Sequence, residues 1–207
     1  MPNCIKYKPT FILIAINIAV YVYTSIIGGN ALVTGNLPIY LWGQVNALVF
    51  QGAYYQLLTS IFVHASIAHL VGNMLFLLIF GLRGEEMFSL PEFLGIYLLG
   101  GLAGNLLSLS FGGGGPPFFI SVGASGAIFA LFGAIVIYSR RSVRQSILGA
   151  LVFAFFLFFI SSGEGVNILA HLGGLGFGLL AGYLLARNRK PRDELSTRNP
   201  YSAPTPF

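Results

Sequence analysis

Three short polar runs stand out in an otherwise apolar chain, and each carries a side chain that could take part in proton transfer or nucleophilic attack. The first is Gly123-Ala124-Ser125-Gly126. Small neighbours leave the hydroxyl of Ser125 uncovered and allow another backbone to come close. Ser125 is therefore a candidate nucleophile, although serine and glycine are also common where membrane helices touch.

The second run surrounds His171, which lies about four residues inside a long apolar segment. An ionisable residue in such a segment is costly and is by default a functional hypothesis. Gly174, Gly178 and Gly182 follow at intervals of four. This spacing predicts a smooth helix face, near His171, that a partner helix can approach closely.

Gly126 and Ala130 supply a matching small face on the segment that contains Ser125. We therefore predict that these two segments pack tightly and bring Ser125 within hydrogen-bond distance of His171. In that arrangement His171 acts as the general base and Ser125 as the nucleophile.

The third run contains His64, His69 and Asn73. His69 and Asn73 are four residues apart and share one helix face. They could form helix–helix hydrogen bonds, or they could donate to a developing oxyanion. His64, His69 and His171 could also be metal ligands, but no Cys or acidic residue joins them on that side, so we predict no metal site and no cofactor.

The amino-acid composition indicates that these groups belong to a membrane protein. The chain has 207 residues, of which 56% are hydrophobic and 8% charged, whereas roughly 25% are charged in a typical soluble domain. We predict an all-α polytopic membrane protein. Despite a net charge of +5, the basic residues lie in short loops and tails, so the expected partner is the lipid bilayer and not nucleic acid.

The apolar sequence divides into six predicted transmembrane segments. Their approximate ranges are 10–27, 66–82, 93–110, 121–138, 146–161 and 167–186. With six spans, every Lys and Arg falls on one side, which the positive-inside rule identifies as the cytoplasm together with both termini. The first segment lacks a small-residue cleavage site, so we interpret it as an anchor and not as a removed signal peptide.

The connections follow from this topology. We predict a cytoplasmic N-terminus (1–9), a membrane domain (10–187) and a disordered cytoplasmic tail (188–207). The long outer connection 28–65 is aromatic and irregular, which favours a structure lying in the outer headgroup layer. Of the six acidic residues, only Glu164 lies on the outer side with Ser125. A Ser-His dyad is therefore favoured over a triad.

Taken in order, these motifs resemble the rhomboid family of intramembrane serine proteases. The resemblance rests on His-x4-His-x3-Asn, Gly-x-Ser-Gly and Ala-His-x2-Gly-x3-Gly. It extends over 10–187 and implies Ser125 as nucleophile and His171 as base. It also implies an oxyanion site made of His69, Asn73 and the Ser125 amide. Gly123, Gly126, Gly174, Gly178, His64 and Phe129 would support the site.

Three further positions relate to that resemblance. Glu85 matches a family acidic position that stabilises the inner half of the fold. Tyr55-Gln56 stands where the family usually carries Trp-Arg. Phe129 replaces a tyrosine that often packs on the catalytic histidine, and a phenyl ring can also stack on imidazole.

These observations predict an intramembrane serine endopeptidase that cleaves transmembrane segments of other membrane proteins. We expect a multi-pass protein of a prokaryotic cell membrane with its site near the outer face. Two alternatives remain open. One is a catalytically inactive rhomboid-like scaffold, and the other is a small transporter, which would have internal repeats or polar residues through its full depth.

Overall fold

The computed structural model describes residues 9–111, 120–138 and 167–188, and within them the chain is mostly helical. In chain order the elements are α1 (Pro9–Gly28), α2 (Asn36–Trp42), β1 (Gln44–Val45), α3 (Asn46–Phe50), α4 (Gln56–Thr59), α5 (Ile67–Met87), α6 (Leu90–Phe111), β2 (Ile120–Ser121), α7 (Ser125–Tyr138) and α8 (Ile168–Asn188). Long apolar runs form helices in a membrane because every backbone group must then be satisfied within the segment.

Four of these helices, α1, α5, α6 and α8, are long and apolar enough to cross a membrane, while α7 is shorter at 14 residues. They correspond to five of the six predicted segments. The fifth segment, 146–161, lies outside the described residues, as do Glu164 and both terminal regions. The count of six spans stays a prediction.

Two helix ends differ from the approximate segment ranges by four or five residues. The fourth segment was expected from 121, but α7 begins at Ser125 because residues 120–121 pair with β1 as a short antiparallel ladder. The second segment was expected to end near 82 with Arg83 beyond it. Instead α5 continues to Met87, and Arg83 pairs with Glu86 one turn later on the same helix.

The connection between α1 and α5 is an ordered structure held together by Gln56. Its amide nitrogen donates to the carbonyl of Tyr40 at 2.9 Å, and its amide oxygen accepts from the backbone of Val45 at 2.9 Å. Gln56 is fully buried. Since a buried backbone group without a partner is costly, these bonds explain how α2, β1 and α4 stay together.

The helices α7 and α8 lie side by side, as their glycine pattern predicted, and the structure shows that they run parallel. A Cβ added to any of three α8 glycines would overlap the backbone of α7. The pairs in contact are Gly174 with Gly126, Gly178 with Ala130, and Gly182 with Ala134. Each step of four on one helix matches a step of four on the other, which confirms the predicted close packing.

Near the C-terminal end of α5, the helix is joined to the start of α1. Glu85 on α5 accepts a hydrogen bond from the backbone N–H of Thr10 at 2.8 Å. Thr10 is buried beside Gly81, where a Cβ would meet the threonine side chain. A carboxylate at a helix N-terminus satisfies a donor that the helix itself leaves unpaired. Glu85 therefore fastens the start of α1 to α5.

Candidate active site

Ser125 is placed by a sharp backbone turn immediately before α7. Gly123 has a φ of +117°, a region that side-chain-bearing residues rarely adopt. The Gly123 N–H donates to the carbonyl of Ser60 at 2.9 Å, which ties the turn to the loop after α4. Because Ser125 is the first residue of α7, its own N–H has no partner within the helix.

The structure brings Ser125 and His171 together. The Ser125 hydroxyl lies 2.7 Å from the Nε2 atom of His171, a normal distance for an O–H donor and a ring nitrogen acceptor. His171 is almost fully buried, and its ring stacks on Phe129 with the centroids 4.7 Å apart and the planes at 26°. This stack limits how far the imidazole can tilt.

The Nδ1 atom of His171 is buried and has no hydrogen-bond partner among the described residues. When Nε2 accepts from the serine hydroxyl, the neutral ring carries its proton on Nδ1. The described site is therefore a Ser-His pair without a carboxylate at the second ring nitrogen. The imidazole is therefore not oriented by a hydrogen bond at Nδ1 from any described residue.

His69 and Asn73 lie beside the serine turn, near the start of α5. A Cβ on Gly123 would come within 2.9 Å of the Nε2 atom of His69, so only glycine lets the imidazole approach this closely. The Asn73 amide donates to the backbone oxygen of His69 at 3.0 Å. Since a primary amide has two N–H donors, one remains to face a substrate.

His64 lies behind His69 and does not face the serine. It is fully buried, its Nδ1–H donates to the Phe62 carbonyl at 3.2 Å, and its ring meets that of His69 edge-on at 5.3 Å. Burial, followed by the nearby His69, lowers the pKa of His64 to about 3, against a smaller raising effect of the Phe62 carbonyl. His64 is therefore neutral at ordinary pH, and its ring packs against that of His69. Within the described ranges no three His, Cys, Asp or Glu residues are grouped to hold a metal ion.

The predicted nucleophile, base and oxyanion donors line one cavity of about 490 Å³, and His64 lies outside its wall. His69, Asn73, Gly123, Ser125 and His171 are on its wall, and Phe76, Phe80 and Phe132 add an apolar surface between α5 and α7. A cavity that combines convergent polar groups with apolar walls can hold an extended peptide segment while it excludes most water.

Sequence reasoning missed Asn167 and Asn105, which also line this cavity. Asn167 lies one helical turn before His171, and its side chain accepts a hydrogen bond from the Ala170 N–H at 3.1 Å. The Asn105 side chain donates to the Leu57 carbonyl at 2.8 Å. Asn167 could have been found from sequence, because asparagine just before an apolar run is a common helix N-cap.

Comparison with known proteins places these observations in a family. The rhomboid domain matches residues 51–188, about two thirds of the chain. Rhomboid protease GluP of Bacillus subtilis is 34% identical over 184 residues, covering 86% of this chain and 34% of that protein. RHOMBOID-like protein 1 of Arabidopsis thaliana is 34% identical over 147 residues, covering 68% of this chain and 37% of that protein.

A shorter relative matches along more of its own length. Putative rhomboid protease YdcA of Bacillus subtilis is 33% identical over 154 residues, covering 71% of this chain and 75% of that protein. The chain therefore spans little more than a third of GluP and RHOMBOID-like protein 1, and most of YdcA. With its apolar helices and the matched domain, this chain is an integral multi-pass membrane protein that belongs to the rhomboid family.

Proposed function

We propose that the protein is an intramembrane serine endopeptidase that cleaves transmembrane segments of other membrane proteins with a Ser125–His171 dyad. The observation that carries this proposal is the 2.7 Å contact between the Ser125 hydroxyl and the His171 Nε2 atom in the wall of the cavity. A serine hydroxyl is a weak nucleophile until an adjacent base can accept its proton.

The first half of the reaction forms an acyl-enzyme. The Ser125 oxygen attacks the scissile carbonyl carbon while its proton passes to His171 Nε2. The carbonyl oxygen becomes an oxyanion, for which the donors are the backbone N–H of Ser125 and the side chains of His69 and Asn73. His171 then gives the proton to the leaving nitrogen, the C–N bond breaks, and the C-terminal product departs.

The second half releases the enzyme. A water molecule attacks the ester carbonyl as His171 takes one of its protons, and a second tetrahedral oxyanion forms at the same donors. Collapse of this intermediate returns the proton from His171 to the Ser125 oxygen and releases the N-terminal product with its new carboxylate. The dyad ends each cycle as it began.

The position of the dyad supports a substrate that lies in the membrane. Ser125, His171, His69 and Asn73 all occur in the first two turns of their helices, and α7 and α8 run parallel. They therefore lie near one end of the bundle, which the distribution of basic residues assigns to the outer face. A substrate helix needs small or helix-breaking residues there, because an intact helix shields its peptide bonds.

The topology and location belong to the same proposal. Six spans, a membrane domain over 10–187 and both termini in the cytoplasm agree with the charge pattern. A prokaryotic cell membrane is the expected location, with other membrane proteins as substrates. The cavity remains polar at this depth only because protein lines it.

Cleavage of a generic transmembrane reporter in liposomes tests the proposal. The purified protein should cut the reporter, and Ser125→Ala should not, although it should reconstitute and unfold at the wild-type temperature. Equal cleavage by both proteins would exclude Ser125 as the nucleophile. Reporter binding without cleavage by the wild type, together with no reaction with a fluorophosphonate, would favour the inactive scaffold.

A further inference from the structure

The two groups that touch the His171 ring, the Ser125 hydroxyl and the Phe129 ring, fix its orientation only in part. A carboxylate would fix it through Nδ1, but that atom has no hydrogen-bond partner in the described part of the chain. Phe129 packs against one face of the ring, which restrains tilting of the ring plane but adds no directional hydrogen bond. The height and rotation of the ring must then come from its backbone, the first turn of α8.

Asn167 fixes that first turn through two groups. Its side-chain oxygen accepts from the Ala170 N–H at 3.1 Å, and its backbone carbonyl accepts from the His171 N–H at 3.3 Å. Both bonds are those of an N-cap residue, which decides where a helix begins. Because His171 is the fourth residue of α8, any change in the start of the helix rotates or lifts its side chain.

The same amide also joins α8 to α6. The Asn167 side-chain nitrogen donates to the hydroxyl of Ser108 at 2.6 Å, and both side chains are buried, at 8% and 0% exposed. The cap settles the orientation of the amide, because its oxygen must face the Ala170 N–H and its nitrogen must therefore face Ser108. A buried bond of this kind is costly to leave unmade.

The packing around this bond leaves little room for adjustment. Gly104, one turn before Ser108 on α6, lies directly against Ala170; a Cβ on Gly104 would be 3.1 Å from the Ala170 carbonyl carbon. Gly173 in turn packs on Gly104, with 2.8 Å between an added Cβ and the Gly104 Cα. The first turn of α8 thus rests on α6, and Asn167–Ser108 sets its register there.

We propose that Asn167, acting through Ser108, is a positioning residue that holds His171 in line with Ser125, the task that a carboxylate performs in a triad. This rests on the proposed protease function. Loss of the Asn167–Ser108 hydrogen bond should slow the chemical step, because a small misplacement of a general base lowers kcat even when the substrate binds normally.

Two variants remove the bond and keep the helix cap. Ser108→Ala removes the acceptor, while Asn167→Ser keeps an N-cap oxygen on a side chain too short to reach Ser108. In liposomes, each should lower kcat for a transmembrane reporter roughly ten- to a hundredfold and leave KM unchanged. The rate of fluorophosphonate labelling at Ser125 should fall by the same factor, and the double variant should fall no further.

Two matched variants separate positioning from general stability. Asn167→Asp keeps the cap and can accept from the Ser108 hydroxyl, so it should retain most of the wild-type kcat. Ser110 lies on the same helix as Ser108. Its exposed hydroxyl donates to the Leu106 carbonyl of that helix and to no other described residue, so Ser110→Ala should not change kcat.

The outcomes distinguish this proposal from the one it rests on. Wild-type kcat and labelling rate in Ser108→Ala and Asn167→Ser would overturn the positioning role and leave the protease function intact. Loss of thermal stability with an unchanged kcat would also overturn it. Absence of cleavage and labelling in the wild type would contradict the protease function itself, and the positioning role with it.

Discussion

Substitution of Gly178 by alanine tests the link between helix packing and the reactive pair. Gly178 lies seven residues after His171 on α8, two turns away from the cavity. A Cβ added there would lie 2.7 Å from both the carbonyl carbon and the Cα of Ala130 on α7. Because the neighbour is backbone, no side chain can turn aside, and the two helices must separate.

The magnitude follows from this contact. Overpacking a tight site costs about 1–3 kcal/mol, whereas replacing glycine by alanine within a helix contributes up to about 1 kcal/mol in its favour. Because the overlap is with backbone, the upper part of the overpacking range applies, about 2–3 kcal/mol. After the gain of about 1 kcal/mol is subtracted, Gly178→Ala should be less stable than the wild type by about 1–2 kcal/mol. A separation of about 1 Å would also carry the 2.7 Å contact between Ser125 and His171 beyond hydrogen-bond distance and lower kcat roughly a hundredfold.

Gly176→Ala provides the matched control. Gly176 is exposed on the same helix, and a Cβ there meets no described atom within 4 Å. Thermal unfolding in detergent and reporter cleavage in liposomes would be measured for both variants. Gly176→Ala should match or exceed the wild type in stability. If Gly178→Ala were equally stable and equally active, the close-packing explanation of the site would be wrong.

Three other substitutions test the oxyanion donor, the turn before Ser125 and the connection between α1 and α5. Asn73→Ala should lower kcat roughly ten- to a thousandfold, as expected for one lost oxyanion donor, and an unchanged kcat would remove Asn73 from the site. Gly123→Ala should abolish fluorophosphonate labelling because its φ of +117° is strained for alanine; normal labelling would refute the importance of this turn. Gln56→Leu leaves the buried partners Val45 and Tyr40 unsatisfied, so it should lower the free energy of unfolding by about 1–3 kcal/mol in chemical denaturation, and a smaller effect would show that another group anchors the loop.

The membrane helices and the reactive pair could be anticipated because their signals are local. Long apolar runs predict helices, and the repeat of Gly174, Gly178 and Gly182 predicts a close helix contact. Once α7 and α8 lie in contact at Gly126 and Gly174, Ser125 and His171 must lie at the same height. The small residues of both helices recur at intervals of four, so the contact between the helices was visible in the sequence.

Other features depend on contacts between distant parts of the chain. The start of α7 moved to Ser125 because β2 pairs with β1, about 75 residues earlier in the chain, and a strand of two residues leaves no pattern of its own. Gln56 likewise holds together short helices whose own sequences are too brief to be stable alone. Asn167 carried a local signal as a helix cap, but its bond to Ser108 spans 59 residues. Only the folded arrangement reveals that partner.

The most direct test of the central claim is whether His171 activates Ser125. The protein in liposomes would be treated with a fluorophosphonate, and the labelled peptide would be identified by mass spectrometry for the wild type and for His171→Ala. We expect a covalent label on Ser125 in the wild type and none in His171→Ala, with equal thermal stability of the two proteins. An unlabelled Ser125 in the wild type, or equal labelling rates in both proteins, would contradict the central claim.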